Sequence, residues 1–216
     1  NKMETTDKVK QAIAIIKATS AMHNFALAYS SGKDSVILDY LCKEAKVKVE
    51  RFHSVTTIDP PGTIHFAEKH GCTIVRPRFS FLDLVEKKGF PTMFRRFCCK
   101  ELKERYFADY VYFGIRANES TKRQKCYTDI EDMYYYTKKK FTNRFFPLLH
   151  FENEDVEYLV NEKSLECHPL YYDEKGQFHV ERRLGCIGCP LQSDRGFSQF
   201  LQNKKLFIQV MKRGIK

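Results

Sequence analysis

The chain has 216 residues, 43% hydrophobic and 30% charged, with 37 Lys and Arg against 27 Asp and Glu for a formal charge of +10. That is enough for one α/β domain with a real core. No apolar run approaches the ~20 residues that cross a bilayer. The opening Asn1-Lys2-Met3-Glu4 lacks the apolar segment of a signal peptide, so a cytoplasmic protein is expected, with its eight cysteines outside disulfides.

In chain order, Asp7 to Met22 carries Val9, Ile13 and Ile16 on one face and predicts an amphipathic helix. The apolar run Phe25-Ala26-Leu27-Ala28-Tyr29 predicts a strand. It breaks into Ser30-Ser31-Gly32-Lys33-Asp34-Ser35, and a helical pattern follows to about Ala45. A strand that turns into a helix through small polar residues aims several N–H groups and the helix dipole at one spot, which favours a phosphate or sulfate. Gly32 permits a tight turn and close approach, the serines can cap the helix or donate to phosphate oxygens, and Lys33 adds charge. Position 27 is Leu where the common P-loop needs its first glycine. A strand-to-helix turn with ordinary caps uses the same residue types.

Val47 to Val55 alternates as a second strand and ends in Thr56-Thr57-Ile58-Asp59-Pro60-Pro61, hydroxyls and a carboxylate at the strand edge where open α/β sheets bind ligands. A short helix over Gly62 to His70, a strand over 71–76, a helix over Phe90 to Phe107 and a strand over Tyr110 to Gly114 are predicted next. This alternation implies right-handed crossovers and a doubly wound, mainly parallel sheet. Past the last of these strands lie Arg116 and Arg123, the residue type suited to bidentate phosphate or sulfate contacts. A surface salt-bridge loop with Glu119 is the plainer use of the same stretch.

From Thr121 to Arg144 the chain is basic, with Lys122, Arg123, Lys125 and Lys138-Lys139-Lys140 around Tyr134-Tyr135-Tyr136. It reads as a nucleic-acid-binding insert over 122–140 or as a solvated loop or hairpin. Phe145 to Leu149 is strand-like, Glu154 to Asn161 a short helix, Gly176 to Gly188 a turn and Asp194 to Lys212 helical. The expected organisation is a single domain over 1–216, with a nucleotide-binding core at 7–120, the insert at 121–144 and a cysteine-bearing C-terminal segment at 145–216.

Cys42 and Cys72 read as core thiols, and Cys126 and Cys167 lie in polar surroundings. Cys98-Cys99 and Cys186-Ile187-Gly188-Cys189 form two close pairs. Four thiolates suit tetrahedral zinc or a [4Fe–4S] cluster. The directly adjacent pair favours the cluster, because neighbouring thiolates diverge more than one ion's tetrahedron allows.

Taken together, Ser30 to Ser35, Thr56 to Pro61, Cys98-Cys99, Gly114-Ile115-Arg116 with Glu119-Ser120, and Arg183-Leu184-Gly185-Cys186-Ile187-Gly188-Cys189-Pro190 resemble the phosphoadenosine phosphosulfate (PAPS) reductase family. The loop resembles the S-G-G-x-D-S loop of PP-loop ATP pyrophosphatases. Phe146 to Leu149 and His168-Pro169-Leu170-Tyr171 also look like that family. The resemblance implies an adenine nucleotide α-hydrolase-like fold that holds ATP or PAPS with Ser30, Ser31, Gly32, Lys33, Asp34, Ser35, Thr57, Asp59 and Arg116. Mg²⁺ is expected on Asp34 or Asp59, with Lys33, Asp34, Arg116 and Arg123 as the catalytic set. The paired cysteines match the [4Fe–4S]-bearing branch, with Cys98, Cys99, Cys186 and Cys189 as ligands.

One departure concerns the Glu-Cys-Gly-x-His tail of the sulfonucleotide reductases: no cysteine follows Cys189. The expectation is therefore ATP pyrophosphatase and sulfurtransferase chemistry of the phosphorothioation type, with nucleic acid and a sulfur-donor or reductant protein as partners. A sulfonucleotide reductase releasing sulfite is the alternative, and a non-catalytic nucleotide- or cluster-sensing regulator is a third reading.

Overall fold

The computed structural model describes residues 4–214. The expectations that touch 1–3, 215–216 and the Lys122 side chain lie outside the described residues. Helix α1 (Thr5–Ser20) precedes β1 (Ala26–Ala28), α2 (Lys33–Glu44), β2 (Glu50–Ser54), α3 (Thr63–Lys69), β3 (Thr73–Val75) and α4 (Phe81–Lys88). A π-helical turn at Cys99–Lys103 leads to β4 (Tyr110–Phe113), α5 (Thr121–Cys126), β5 (Glu131–Thr137), β6 (Lys140–Phe145), α6 (Asn153–Glu162), α7 (Ser193–Gln202) and α8 (Lys204–Gly214). Among the described residues no helix is long and apolar enough to cross a membrane.

The strands form one six-stranded sheet in the order β3-β2-β1-β4-β6-β5. Strand β1 pairs parallel with β2 and β4, β4 pairs parallel with β6, and β5 runs antiparallel to β6. This is the expected mainly parallel α/β fold. The chain winds outward from β1 in both directions, so the ends of β1 and β4 make the switch point where such sheets open a crevice. Both central strands are apolar because both faces are covered: Leu27, Val111 and Tyr112 are buried, as are Ile37, Leu38 and Leu41 of α2.

Three expectations change. The helix over Phe90 to Phe107 is only the Cys99–Lys103 turn. Gly89 ends α4 with φ of 75°, a conformation that L side chains rarely adopt, and Pro91 follows it. The stretch before it is a helix instead, α4, opened by a capping box between Ser80 and Asp83. The strand expected at Phe145 to Leu149 starts earlier, as β6, and pairs with β5 in a hairpin. The C-terminal helix is broken into α7 and α8 at Asn203.

The chain divides into two compact units: Asn1–His53, His65–Thr73 and Tyr106–Leu184 in the first, Ser54–Ile64, Ile74–Arg105 and Gly185–Lys216 in the second. The second has its own core of Ile58, Phe81, Leu84, Val85, Leu102, Phe200 and Val210.

Candidate active site and thiol region

In the first unit, the turn after β1 is built differently from its simplest reading. Ser31, not Gly32, takes the left-handed conformation, with φ of 64° and its side chain wholly buried. Gly32 is extended at φ −76° and is the N-cap of α2, so no serine caps the helix. Its lack of a side chain matters for space: a Cβ there would stand 3.2 Å from Ser30 Oγ and 3.4 Å from the Tyr171 hydroxyl. Ser30 Oγ accepts from the Gly32 N–H at 3.3 Å, and Ser35 Oγ donates to the Gly32 carbonyl at 2.7 Å. The serines therefore hold the turn in shape.

Lys33 is 3% exposed. Its N–H donates to the Tyr171 hydroxyl (3.3 Å), its Nζ donates to the Arg182 carbonyl (3.3 Å) and lies 3.9 Å from Asp34 Oδ2. Burial lowers its pKa; Asp34 opposes that, while Arg116 and Arg183 add to the lowering. Arg116, 1% exposed, donates from Nε to Asp34 Oδ1 at 2.6 Å and from one terminal nitrogen to Asn153 Oδ1 at 3.1 Å. Arg123 pairs with Glu119, as the plainer sequence reading allowed. Burial also lowers Arg123, opposed by Tyr127 and Asp34 and reinforced by Arg183 and Arg116. Arg123 and Arg183 meet at Glu119, the first through its carboxylate and the second through its carbonyl, and Arg123 also feels Asp34 and Arg116. Gly114 lets β4 reach the start of α2: a Cβ there would meet Asp34 and Ser35 backbone at 2.9–3.1 Å.

Tyr171 is the residue that the sequence reading left without a role. Its hydroxyl accepts from both Lys33 and Leu184 N–H groups, and the Lys33 ammonium lies 5.1 Å from its ring centroid. Burial pushes the phenol up to about 12 against the Lys33 N–H, so it stays a neutral hydrogen-bonding group. It sits in the His168-Pro169-Leu170-Tyr171 run, and Arg183 precedes the Cys186 pair, so both lay within quoted motifs. Asn153 carried no signal, being 37 residues from its partner.

In the second unit, Thr57 has φ of 65° and its hydroxyl accepts from the Phe81 N–H at 2.8 Å, so it orders the start of α4. Asp59 accepts from Thr56 N–H (2.7 Å) and Thr56 Oγ1 (2.6 Å), bracing the turn after β2. Cys98 and Cys186 pack against the unit's apolar core. A hydrogen bond from Cys99 lowers the Cys98 thiol, against burial and against Cys186 and Cys189 nearby; Cys99 is correspondingly raised. Lys103 is exposed as a residue, and its ammonium hydrogen-bonds to the Cys186 thiol. Burial would lower it; Cys186, Asp59 and Cys99 outweigh that and hold it above its ordinary value. Gly188, at φ 73°, turns the Cys186–Cys189 loop, and a Cβ there would meet Phe200 at 2.8 Å.

The four thiols suit a [4Fe–4S] cluster in kind and number, with an apolar wall behind two of them and a cation at hand to offset thiolate charge. Among the described residues no group of three or more His, Cys, Asp or Glu side chains already stands in position to hold a metal ion. Of the other cysteines, Cys42 and Cys72 are buried as expected. Cys167 is buried too, contrary to its polar sequence surroundings, and Cys126 is exposed. Burial pushes Cys42, Cys72 and Cys167 up to about 12.

Residues 24–192 match the family model of the phosphoadenosine phosphosulfate reductase domain. The chain belongs to that family. The PAPS reductase fold is also that of its structural neighbours. A phosphoadenylyl-sulfate reductase from Candida auris, solved as a phosphate complex, superposes with a TM-score of 0.60 at 13% identity over 88% of this chain and 97% of that one. The NH3-dependent NAD synthetase of Campylobacter jejuni gives 0.51 at 14% identity over 98% and 93%. The Candida glabrata FMN adenylyltransferase, with FAD and inorganic pyrophosphate, gives 0.55 at 13% identity over 85% of this chain and 63% of that one. These identities speak for the adenine nucleotide α-hydrolase-like fold alone. No curated protein matches the sequence. Within this PAPS reductase domain, the first unit brings Ser30 to Ser35, Arg116 and Arg123 together, and the second holds Thr57, Asp59 and the four cysteines.

Proposed function

We propose that the protein is an adenine-nucleotide enzyme that cleaves ATP at its α-phosphorus to drive sulfur transfer, with nucleic acid as acceptor. The observation that carries this reading is the buried Lys33–Asp34–Arg116 charge cluster at the start of α2, with Arg123 and Arg183 both held on Glu119. An acceptor oxygen attacks the α-phosphorus, the bond to the β-phosphate oxygen breaks, and pyrophosphate leaves with the electron pair. A sulfur nucleophile then displaces AMP. Lys33 and the α2 N–H groups neutralise phosphate charge, and Arg123 and Arg183 stabilise what develops on the leaving group. Arg116, held by Asp34 and Asn153, fixes the carboxylate and with it the first turn of α2. Asp34 or Asp59 is the carboxylate proposed for Mg²⁺, since an oxygen that accepts one hydrogen bond retains further acceptor capacity. The C. glabrata neighbour with FAD and inorganic pyrophosphate supports chemistry of this class on this fold.

Cys98, Cys99, Cys186 and Cys189 would hold a [4Fe–4S] cluster, which when bound supplies electrons and a soft site for sulfur. Anaerobic protein should contain about four irons and four sulfides per chain. Cys126→Ser should leave that content unchanged. One zinc and no iron would make the site structural.

The second reading is sulfonucleotide reduction, favoured by the family model and the C. auris neighbour. It needs a thiolate nucleophile. Cys42, Cys72 and Cys167 are held protonated by burial, leaving Cys126 as the exposed thiol outside the two pairs. Anaerobic protein given ATP and PAPS separately tests the choice. AMP and pyrophosphate from ATP supports the first reading; thioredoxin-dependent sulfite from PAPS, with ATP untouched, replaces it with the second.

A further inference from the structure

The β5–β6 hairpin sorts its aromatic residues onto two faces. On one, Tyr134 and Tyr136 meet edge to face at 5.0 Å, and Tyr136 packs on Tyr106. Arg144 lies 4.8 Å over Tyr134 while paired with Asp132, and the Lys140 ammonium lies 3.9 Å over Tyr106. That face is fully engaged. On the other, Tyr135 stands directly across from Phe141, ring centroids 5.5 Å apart, and the pair faces solvent: Tyr135 is 59% exposed, Phe141 37% and Met133, on the same face, 46%.

The hairpin tip adds charge. Thr137 pairs with Lys140 across a two-residue turn of Lys138 and Lys139, both exposed. Two-residue hairpins favour Gly or Asn with positive φ, yet neither lysine has it. Lysine therefore stands at both turn positions without a backbone reason for it. Of the four cations between positions 133 and 146, Arg144 is paired with Asp132 and Lys140 lies over Tyr106, which leaves Lys138 and Lys139 exposed at the tip. An exposed aromatic pair beside uncompensated lysines has the chemistry of a stacking platform with an electrostatic track.

We infer that this face binds single-stranded nucleic acid, with bases stacked on Tyr135 and Phe141 and phosphates taken by Lys138 and Lys139. The inference rests on the nucleic-acid acceptor proposed above and names its docking surface. A duplex presents base edges in its grooves, whereas only an unpaired strand offers base faces to rings. Stacking tolerates any base, so the preference is for strandedness over sequence.

Fluorescence anisotropy of the full chain with labelled oligo(dT), oligo(U) and a duplex of equal length tests it. The single strands should bind more tightly than the duplex. Tyr135→Ala should weaken single-strand binding by between about fivefold and a hundredfold, and Tyr135→Phe should restore it. The double variant Lys138→Gln/Lys139→Gln should flatten the slope of log affinity against log salt by about 1.4. Thermal melts of the variants should match wild type, since these side chains are exposed. Equal duplex and single-strand binding, or single-strand binding indifferent to both sets of variants, overturns the platform. So does absence of single-strand binding together with a concentration-dependent dimer that Tyr135→Ala abolishes, which makes the face a contact between copies. ATP titrations of wild-type protein keep the two readings apart. Oligonucleotide binding through this face without ATP binding supports the platform while removing the proposed chemistry; ATP cleavage without oligonucleotide binding does the reverse.

Discussion

Arg116 is charged at 1% exposure, and an isolated charge there would cost several kcal/mol. Asp34 and Asn153 remove that cost by taking its Nε and one terminal nitrogen. The carboxylate that takes its Nε lies 82 residues away in sequence. Arg116→Leu should lower stability by about 3–5 kcal/mol, the usual cost of breaking a buried pair, because the Asp34 side chain is left at 13% exposure. Chemical denaturation reads this directly, and a loss below about 1 kcal/mol would mean that water solvates Asp34 well enough alone. Lys33 differs, since its ammonium is met by a carbonyl and a distant carboxylate oxygen. Lys33→Ala should therefore weaken ATP or PAPS binding by about 1–3 kcal/mol, the range for a charge-assisted contact. Calorimetry showing wild-type affinity in that variant would exclude the loop as the phosphate site.

The elements that the sequence disclosed are those whose local pattern agrees with their tertiary setting. The apolar run of β1 is buried on both faces, and the polar break after it is where the sheet opens. The hairpin was harder to read, because Tyr134-Tyr135-Tyr136 hides a period of two in residues that all look alike. Phe90 to Phe107 has a helical residue composition and so predicts a long helix, but Gly89-Phe90-Pro91 breaks the helical backbone and leaves only the Cys99–Lys103 turn. Helix α4 had a legible start in Ser80-x-x-Asp83. Pairings between distant elements left no local trace. Lys8 of α1, 6% exposed, donates to Asp155 of α6, 3% exposed, at 2.6 Å, and Thr5 bonds the same carboxylate. Burial alone would raise Asp155; the Glu152 N–H, Lys8 and Thr5 outweigh it and hold the carboxyl below its ordinary range. A depressed carboxyl contributes stability that is complete above its unfolded pKa, about 3.9. That contribution is lost as pH falls through the lower folded value. Thermal melts from pH 6 to 2.5 should show an acid-side decline that Asp155→Asn makes shallower, from a lower plateau at neutral pH. An unchanged acid limb in the variant would assign the decline to other carboxylates.

At the scale of the whole molecule, the Ser30–Ser35 turn and the four paired thiols fall in separate compact units with cores of very different size. The first unit buries β1, β4 and α2 in a broad apolar interior, whereas the second packs around a cluster that, among the described residues, has seven buried side chains. A small core is marginal by itself, and structural metals or clusters commonly supply what it lacks. Cys98 and Cys186 lie against that core and Gly188 turns the second cysteine pair under Phe200, so a cluster on these thiols would tie the π turn and the segment after Gly185 to α4 and α8. Iron removal should then loosen the second unit selectively. In hydrogen exchange of anaerobic protein before and after chelation, the amides of α4 and α8 should lose at least tenfold in protection, about 1.4 kcal/mol of local opening free energy. Those of β1, β4 and α2 should hold within twofold, about 0.4 kcal/mol. Gly188→Ala should reproduce the loss without chelation, since its Cβ and its left-handed backbone both oppose the turn. Equal protection of α4 and α8 with and without iron would show that this unit is held by its apolar residues alone, and the four thiols would lose their assigned structural part.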